Sequence, residues 1–201
     1  MPRAGTIRGA RPRPRATRDC AVVVHQHGAR APPCGRRRPC DTGRVATLSE
    51  LTAELQATWH RDIPPAAAMA IQVAAYDGRT LTVRAPLAAN RNVHGTAFAG
   101  SLFSVCVLTG WGATWLALRE RGLAGSIVVA DSQIRYRRAV SGDLVCRCTA
   151  ETQSLDVAFA GFAESGRASL PLTCTIDAGD RLAVAFEGTY IIHAKTESGF
   201  A

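Results

Sequence analysis

Between Asp77 and Glu120 this 201-residue chain contains no Asp and no Glu. That gap covers its most apolar segment and the polar turn leading into it, so neither can supply a carboxylate. Serine is absent before Ser49, whereas transit peptides are rich in it. The apolar run Cys20 to Val24 is too short for the hydrophobic region of a secretory signal. Only Gly95 to Leu118 is long and uncharged enough to suggest a membrane span. Nine of its 24 positions are Gly, Ser or Thr, and no second span follows. The amphipathic strand patterns on both sides need a core to cover, which makes the stretch a buried helix and sets a membrane aside.

Cysteine is present but odd in number, at seven. Cys106 lies in the apolar segment, and Cys146, Cys148 and Cys174 lie on strand-like runs, where a thiol packs as a small core side chain. A reducing cytoplasm fits this usage best. His25, His27, Cys34 and Cys40 match no common zinc spacing, and no motif calls for a cofactor.

The formal charge of +8 is unevenly spread. Residues 1–47 carry eleven Arg against Asp19 and Asp41, a net of +9, and residues 48–201 carry a net of −1. A basic nucleic-acid face on the folded part is therefore not expected. The segment 1–47 repeats Arg and Pro with almost no apolar periodicity, and it cannot bury enough surface to offset its ordering entropy. We expect disorder there. A tail for nucleic acid or an anionic surface, a transit peptide and a non-functional extension from a misassigned start all remain open, and composition favours the last.

Order is expected from about Thr47. Ser49 can cap a helix with Leu48, Leu51, Leu55 and Trp59 on one face, ended by Pro64-Pro65. Two alternating runs, Met69 to Ala75 and Leu81 to Ala85, flank a turn signal at Asp77-Gly78. The polar loop Asn90-Arg91-Asn92 leads into a helix from about Ala97 to Arg121, stopped by Gly122. Strand patterns follow over Ser126 to Tyr136, Leu144 to Thr152, Ala168 to Ile176 and Leu182 to Ile192, with a short helix open at Leu155 to Phe162. A mostly antiparallel sheet around one long helix is an α+β architecture.

The order of elements resembles the hotdog fold, a curled antiparallel sheet wrapped around a central helix. The string Asn92-x-His94-Gly95-Thr96-x-Phe98-x-Gly100-Ser101-Leu102, followed by Leu108-Thr109-Gly110-Trp111-Gly112, resembles the YiiD C-terminal-type thioesterase domain. Ile134 to Asp143 resembles a hairpin common to hotdog thioesterases. The likeness covers about residues 48–195. It implies an acyl-CoA or acyl-carrier-protein thioester as substrate, and a homodimer with the active site at the seam, tetramers remaining open. Better-known hotdog thioesterases carry N-x-x-G-x-x-H-G-G and an acid further along the helix. Here Phe98 stands in the place of that His, and the acid's place near Val107 is apolar.

Backbone N–H groups around Phe98 to Gly100 can then act as an oxyanion hole, with Gly100 allowing close approach and Ser101 adding a hydroxyl. Asn92, His94 or Asn90 can hold water, and histidine is the residue type that gains and loses a proton near neutral pH. Asp131, on the following strand, is the nearest carboxylate by pattern. Arg135 and Arg137 share a face at period two and can meet phosphates or an acidic carrier surface. Each also has a plain role: turn capping for Asn90 and Asn92, helix back-bonding for Ser101, a surface charge for Asp131, edge protection for the arginines. A binding module that holds the thioester without hydrolysis is the alternative function.

Overall fold

The computed structural model describes residues 46–194; the expectations for residues 1–45, including the four candidate ligands in that segment, lie outside it. The first helix, α1 (Leu48–Asp62), begins at Thr47. Thr47 Oγ1 accepts from the Glu50 N–H and the Glu50 carboxylate accepts from the Thr47 N–H, a reciprocal cap that satisfies two orphan donors. The cap thus lies two residues before Ser49, because only Thr47 has an acid three positions on; at that offset from Ser49 stands Thr52. Leu51, Leu55 and Trp59 are buried, whereas Leu48, expected on the same face, is exposed at the first position of the helix. Pro64 opens the short α2 (Pro64–Ala68).

Six strands form one antiparallel sheet: β1 (Gln72–Tyr76), β2 (Thr80–Ala85), β3 (Gly125–Tyr136), β4 (Leu144–Thr149), β5 (Arg167–Ala178) and β6 (Arg181–Ala194), in the spatial order β1-β2-β4-β5-β6-β3. Between β2 and β3 run a single turn, α3 (Leu87–Asn90), and the long α4 (Ala99–Glu120). The sheet curls around α4, which touches β2, β3, β4, β5 and β6 on one side and α1 on another. By length and composition α4 is a membrane-span candidate, but 83% of its most apolar window is buried against its own fold.

Glycine sets how closely α4 approaches its neighbours. A Cβ at Gly112 would lie 2.6 Å from the Trp59 ring, and one at Gly110 would collide with the Tyr190 hydroxyl. That hydroxyl donates to Val107 O at 2.9 Å. The buried cysteines share this layer. Cys146 Sγ lies 3.8 Å from Cys106 Sγ, Cys174 Sγ contacts Cys106 O, and all four thiols among the described residues are free. All four are fully buried, out of reach of a substrate, so these are packing groups rather than nucleophiles.

The open helix at Leu155 to Phe162 is longer than its pattern suggested. It is α5 (Thr152–Ser165), burying Leu155, Ala158, Phe159 and Phe162 and closing at Gly166 with φ +69°. Its insertion shortens β4 to Thr149 and limits β4–β5 pairing to Cys146–Cys148 against Cys174–Ile176.

Alanine at Gly112 gains about 1 kcal/mol in helix propensity but overpacks Trp59. The expected net loss is about 1–3 kcal/mol, read as a lower urea midpoint at unchanged slope. Gly110→Ala should behave alike, while Gly142→Ala, whose Cβ meets nothing within 4 Å, should leave the midpoint nearly unmoved.

Candidate functional site

The start of α4 is assembled by three ties. Asp143 holds the entry: one carboxylate oxygen accepts from the Leu87 N–H at 3.0 Å and the other from Arg84 at 2.8 Å. This places α3, at whose end Asn90 is 2% exposed. Asn90 Nδ2 donates to Met69 O and Pro86 O, and its Oδ1 has no partner. Asn90 is thus a buried brace at the end of a helical turn instead of a loop residue open to substrate. The second tie is the loop itself. Asn92 Oδ1 accepts from the His94 N–H at 2.9 Å and the Thr96 N–H at 3.2 Å, while Nδ2 donates to Thr96 Oγ1 and Ala97 O. Gly95 takes φ +78° in that turn, a backbone setting that favours glycine. The third tie comes from after β3, where Val140 O accepts from the Ala97 N–H at 2.8 Å.

These ties fix which donors remain free. The Phe98 N–H is spent on Asn90 O at 2.7 Å, and Phe98 O accepts from the Leu102 N–H. Phe98 caps α4 without a side-chain hydrogen bond. The N–H groups of Ala99, Gly100 and Ser101 have no acceptor among the described residues. The free N–H groups, the candidate oxyanion cradle, are therefore those of Ala99 to Ser101, one residue further on than the sequence pattern placed them. Phe98 lies half exposed with its ring over Gly100. Ser101 is 8% exposed, and its hydroxyl has no partner among the described residues. His94 is exposed at the tip of the loop.

Tyr136 belongs to this site and went unrecognised in the sequence. Its hydroxyl donates to Ala99 O at 3.0 Å, and partial burial raises its pKa, which keeps it a donor. Its signal was parity with Ile134 on the inward face of β3, obscured because it stands at the strand end.

Asp131 is not brought to the turn. Ile127 and Val129 face the core, and simple alternation would turn Asp131 inward with them. A bulge between Val129 and Asp131 shifts the register, so that Asp131 pairs with Thr189 on the outer face, and one extra residue reverses every side chain beyond it. Arg135 lies on that outer face too, bonded to Glu187 at 3.1 Å and Gln133 at 2.7 Å. Arg137 does not continue the alternation. The strand ends at Tyr136, and the N–H groups of Arg137 and Arg138 both point to Ala183 O. Their side chains are exposed beside the turn without an ion pair among the described residues. The structure thus gathers Asn90, Asn92, His94, Phe98, Gly100 and Ser101, with Arg137 at the rim, and leaves Asp131 and Arg135 on the far face.

A curled sheet around one helix whose free N–H groups open at a polar turn defines a hotdog-fold protein of the thioesterase type. The chain belongs to the family described as "Putative thioesterase (yiiD_Cterm)", whose model matches residues 52–194, as the string from Asn92 to Gly112 implied. A putative thioesterase from Shewanella oneidensis is 31% identical, with a TM-score of 0.65, over 74% of this chain and 100% of that one. A protein with unknown function from Chlorobaculum tepidum TLS is 28% identical, with a TM-score of 0.72, over 75% and 99%. A probable thioesterase from Pseudomonas aeruginosa, 18% identical over 72% and 96% at a TM-score of 0.61, shares the fold.

Two outcomes follow from these ties. In Asn92→Ala, amide exchange at His94 and Thr96 should speed up about tenfold, the equivalent of one hydrogen bond of about 1.4 kcal/mol, with β5–β6 amides unchanged. The Leu87 N–H, then Arg84, hold the Asp143 carboxyl below its ordinary range. Its stabilisation is therefore complete above the unfolded carboxylate pKa and fades as pH falls through the lowered folded value. In acid titrations followed by circular dichroism, Asp143→Asn should be less stable than wild type at neutral pH and lose less on acidification.

Proposed function

We propose that the protein hydrolyses acyl thioesters of coenzyme A or of an acyl carrier protein, as a homodimer with its sites at the seam. The observation that carries this reading is the trio of unpaired N–H groups at Ala99, Gly100 and Ser101, on a helix end that also carries partial positive charge. A thioester carbonyl oxygen seated there is polarised, and the oxyanion formed on attack is better held than the ground-state carbonyl. Water supplies the nucleophile. His94 takes its proton as the oxygen–carbon bond forms, and the tetrahedral intermediate then collapses, breaking the carbon–sulfur bond. The thiolate leaves and recovers the proton, giving a carboxylic acid and a thiol. Asn92 acts as a positioning residue that fixes the loop bearing His94. Arg91, Arg137 and Arg138, exposed and without an ion pair among the described residues, offer cations around the entrance for the phosphates of the carrier, while Asp131 and Arg135 take no part.

Dimerisation is supported by β3. It is the last strand of the sheet, 12 residues long, with one edge unpaired by any strand among the described residues. An exposed edge of that length is a template for another chain.

The absence of a carboxylate from residues 78–119 favours a second reading, a module that holds the thioester without turnover. Thiol release from acyl-CoA and acyl-carrier-protein substrates separates the two. Hydrolysis that falls about 10²–10⁴-fold in kcat for His94→Ala, with KM and folding retained, is the expected result. Tight binding without release would leave the module.

A further inference from the structure

The packing of α4 is uneven along its length. From Leu108 to Leu118 every residue is buried, but Gly100, Phe103, Ser104 and Val107 are only partly covered. Those four recur at helical spacing, so they form one stripe running from the free N–H groups for two turns. The inward face of β3 changes at the same level. Ile127 and Val129 are buried, whereas beyond the bulge Ser132, Ile134 and Tyr136 are partly open. The two elements run side by side in opposite directions, pinned by Tyr136 on Ala99 O at one end and by the Trp111 indole on Ile127 O at the other. The half-open stripe of α4 and the half-open end of β3 therefore border one seam. It starts at the cradle and closes where Tyr190, fully buried, donates to Val107 O. Phe103 is backed by the edge of Phe186, with ring centroids 5.8 Å apart, so the wall is braced.

The stripe is one side chain wide, since Ser101, Leu102, Val105 and Cys106 beside it are buried. A helix of another chain, about 10 Å across with its side chains, is wider than this stripe, whereas a single alkyl chain matches its width. The cradle end carries a second mark of a ligand: Ser101 on the first turn is 8% exposed, and its hydroxyl has no partner among the described residues. From Gly100 to Val107 the seam is about 10.5 Å long at 1.5 Å per residue. An extended alkyl chain advances about 1.25 Å per carbon, the projection of a ~1.5 Å bond, so about eight carbons fill it.

Resting on the thioesterase reading, we infer that this seam takes the acyl chain and that Val107 with Tyr190 sets its limit, making medium-chain acyl thioesters of about six to eight carbons the preferred substrates. The test is kcat/KM for the full chain on straight-chain acyl-CoAs from two to sixteen carbons. The expected profile peaks at six to eight carbons and falls at least tenfold by fourteen. Val107→Phe should move the peak to four carbons or fewer, and Val107→Ala should move it to ten or more. A profile that keeps rising to sixteen carbons, or one that neither substitution shifts, overturns the assignment. If no thioester is cleaved, the hydrolysis reading fails on its own. Thermal shifts with the same panel then decide the seam: a maximum near eight carbons that moves with Val107 upholds it, and a shift independent of chain length removes it.

Discussion

Burying α4 is the constraint on which the rest of the molecule depends. The helix presents apolar surface around most of its circumference, and a surface of that kind has to be enclosed from several sides. Five strands and α1 enclose it here, and they come close enough because Gly110 and Gly112 leave room for Tyr190 and Trp59. Along most of its length its side chains are fixed by packing. Its first turn is different, because burying the helix also holds its open end at one place. The backbone donors at Ala99, Gly100 and Ser101 are thereby held in place before any ligand arrives, which on the proposed reading is a form of electrostatic preorganisation.

The polar turn is built to leave those donors alone. Phe98 at the capping position has no side-chain acceptor to fold back on them, unlike a Ser or Asp at the same point. Asn92 spends its amide on His94, Thr96 and Ala97, so the loop is rigid without drawing on the first turn of the helix. Asp143 and Asn90 brace the approach from the other side. The polar residues closest to the candidate chemistry thus mostly set backbone geometry.

Much of this was legible in the sequence. The uncharged segment announced the central helix, and Asp77-Gly78 marked a turn whose acid does accept backbone N–H groups. The string from Asn92 to Gly112 pointed to the family. What escaped depended on one-residue offsets. The bulge before Asp131 adds a residue that no propensity reveals, and it exchanges the faces of Asp131, Arg135 and Tyr136 at once. The first free N–H group moved from Phe98 to Ala99 because Asn90 O captured the earlier donor, a contact set by where α3 ends. The cap at Thr47 was hidden by the nearer Ser49, and the full length of α5 by Gly161, which the helix accommodates.

The place of β3 has a consequence for the order in which the molecule is made. Its only neighbour in the sheet is β6, the last strand of the described chain. It is β3 that carries Tyr136 to the helix start, and the segment after it carries Val140 to Ala97. A nascent chain that has completed α4 at Glu120 therefore holds the apolar helix with no edge strand to close over its first turn, until β6 (Arg181–Ala194) leaves the ribosome. Domains generally fold as units during synthesis. In this one the first turn of α4, encoded near the middle, gains its contacts with Tyr136 and Val140 in lasting form only after β6 is delivered. During that interval the most apolar segment of the chain depends on earlier elements, or on chaperones, for cover.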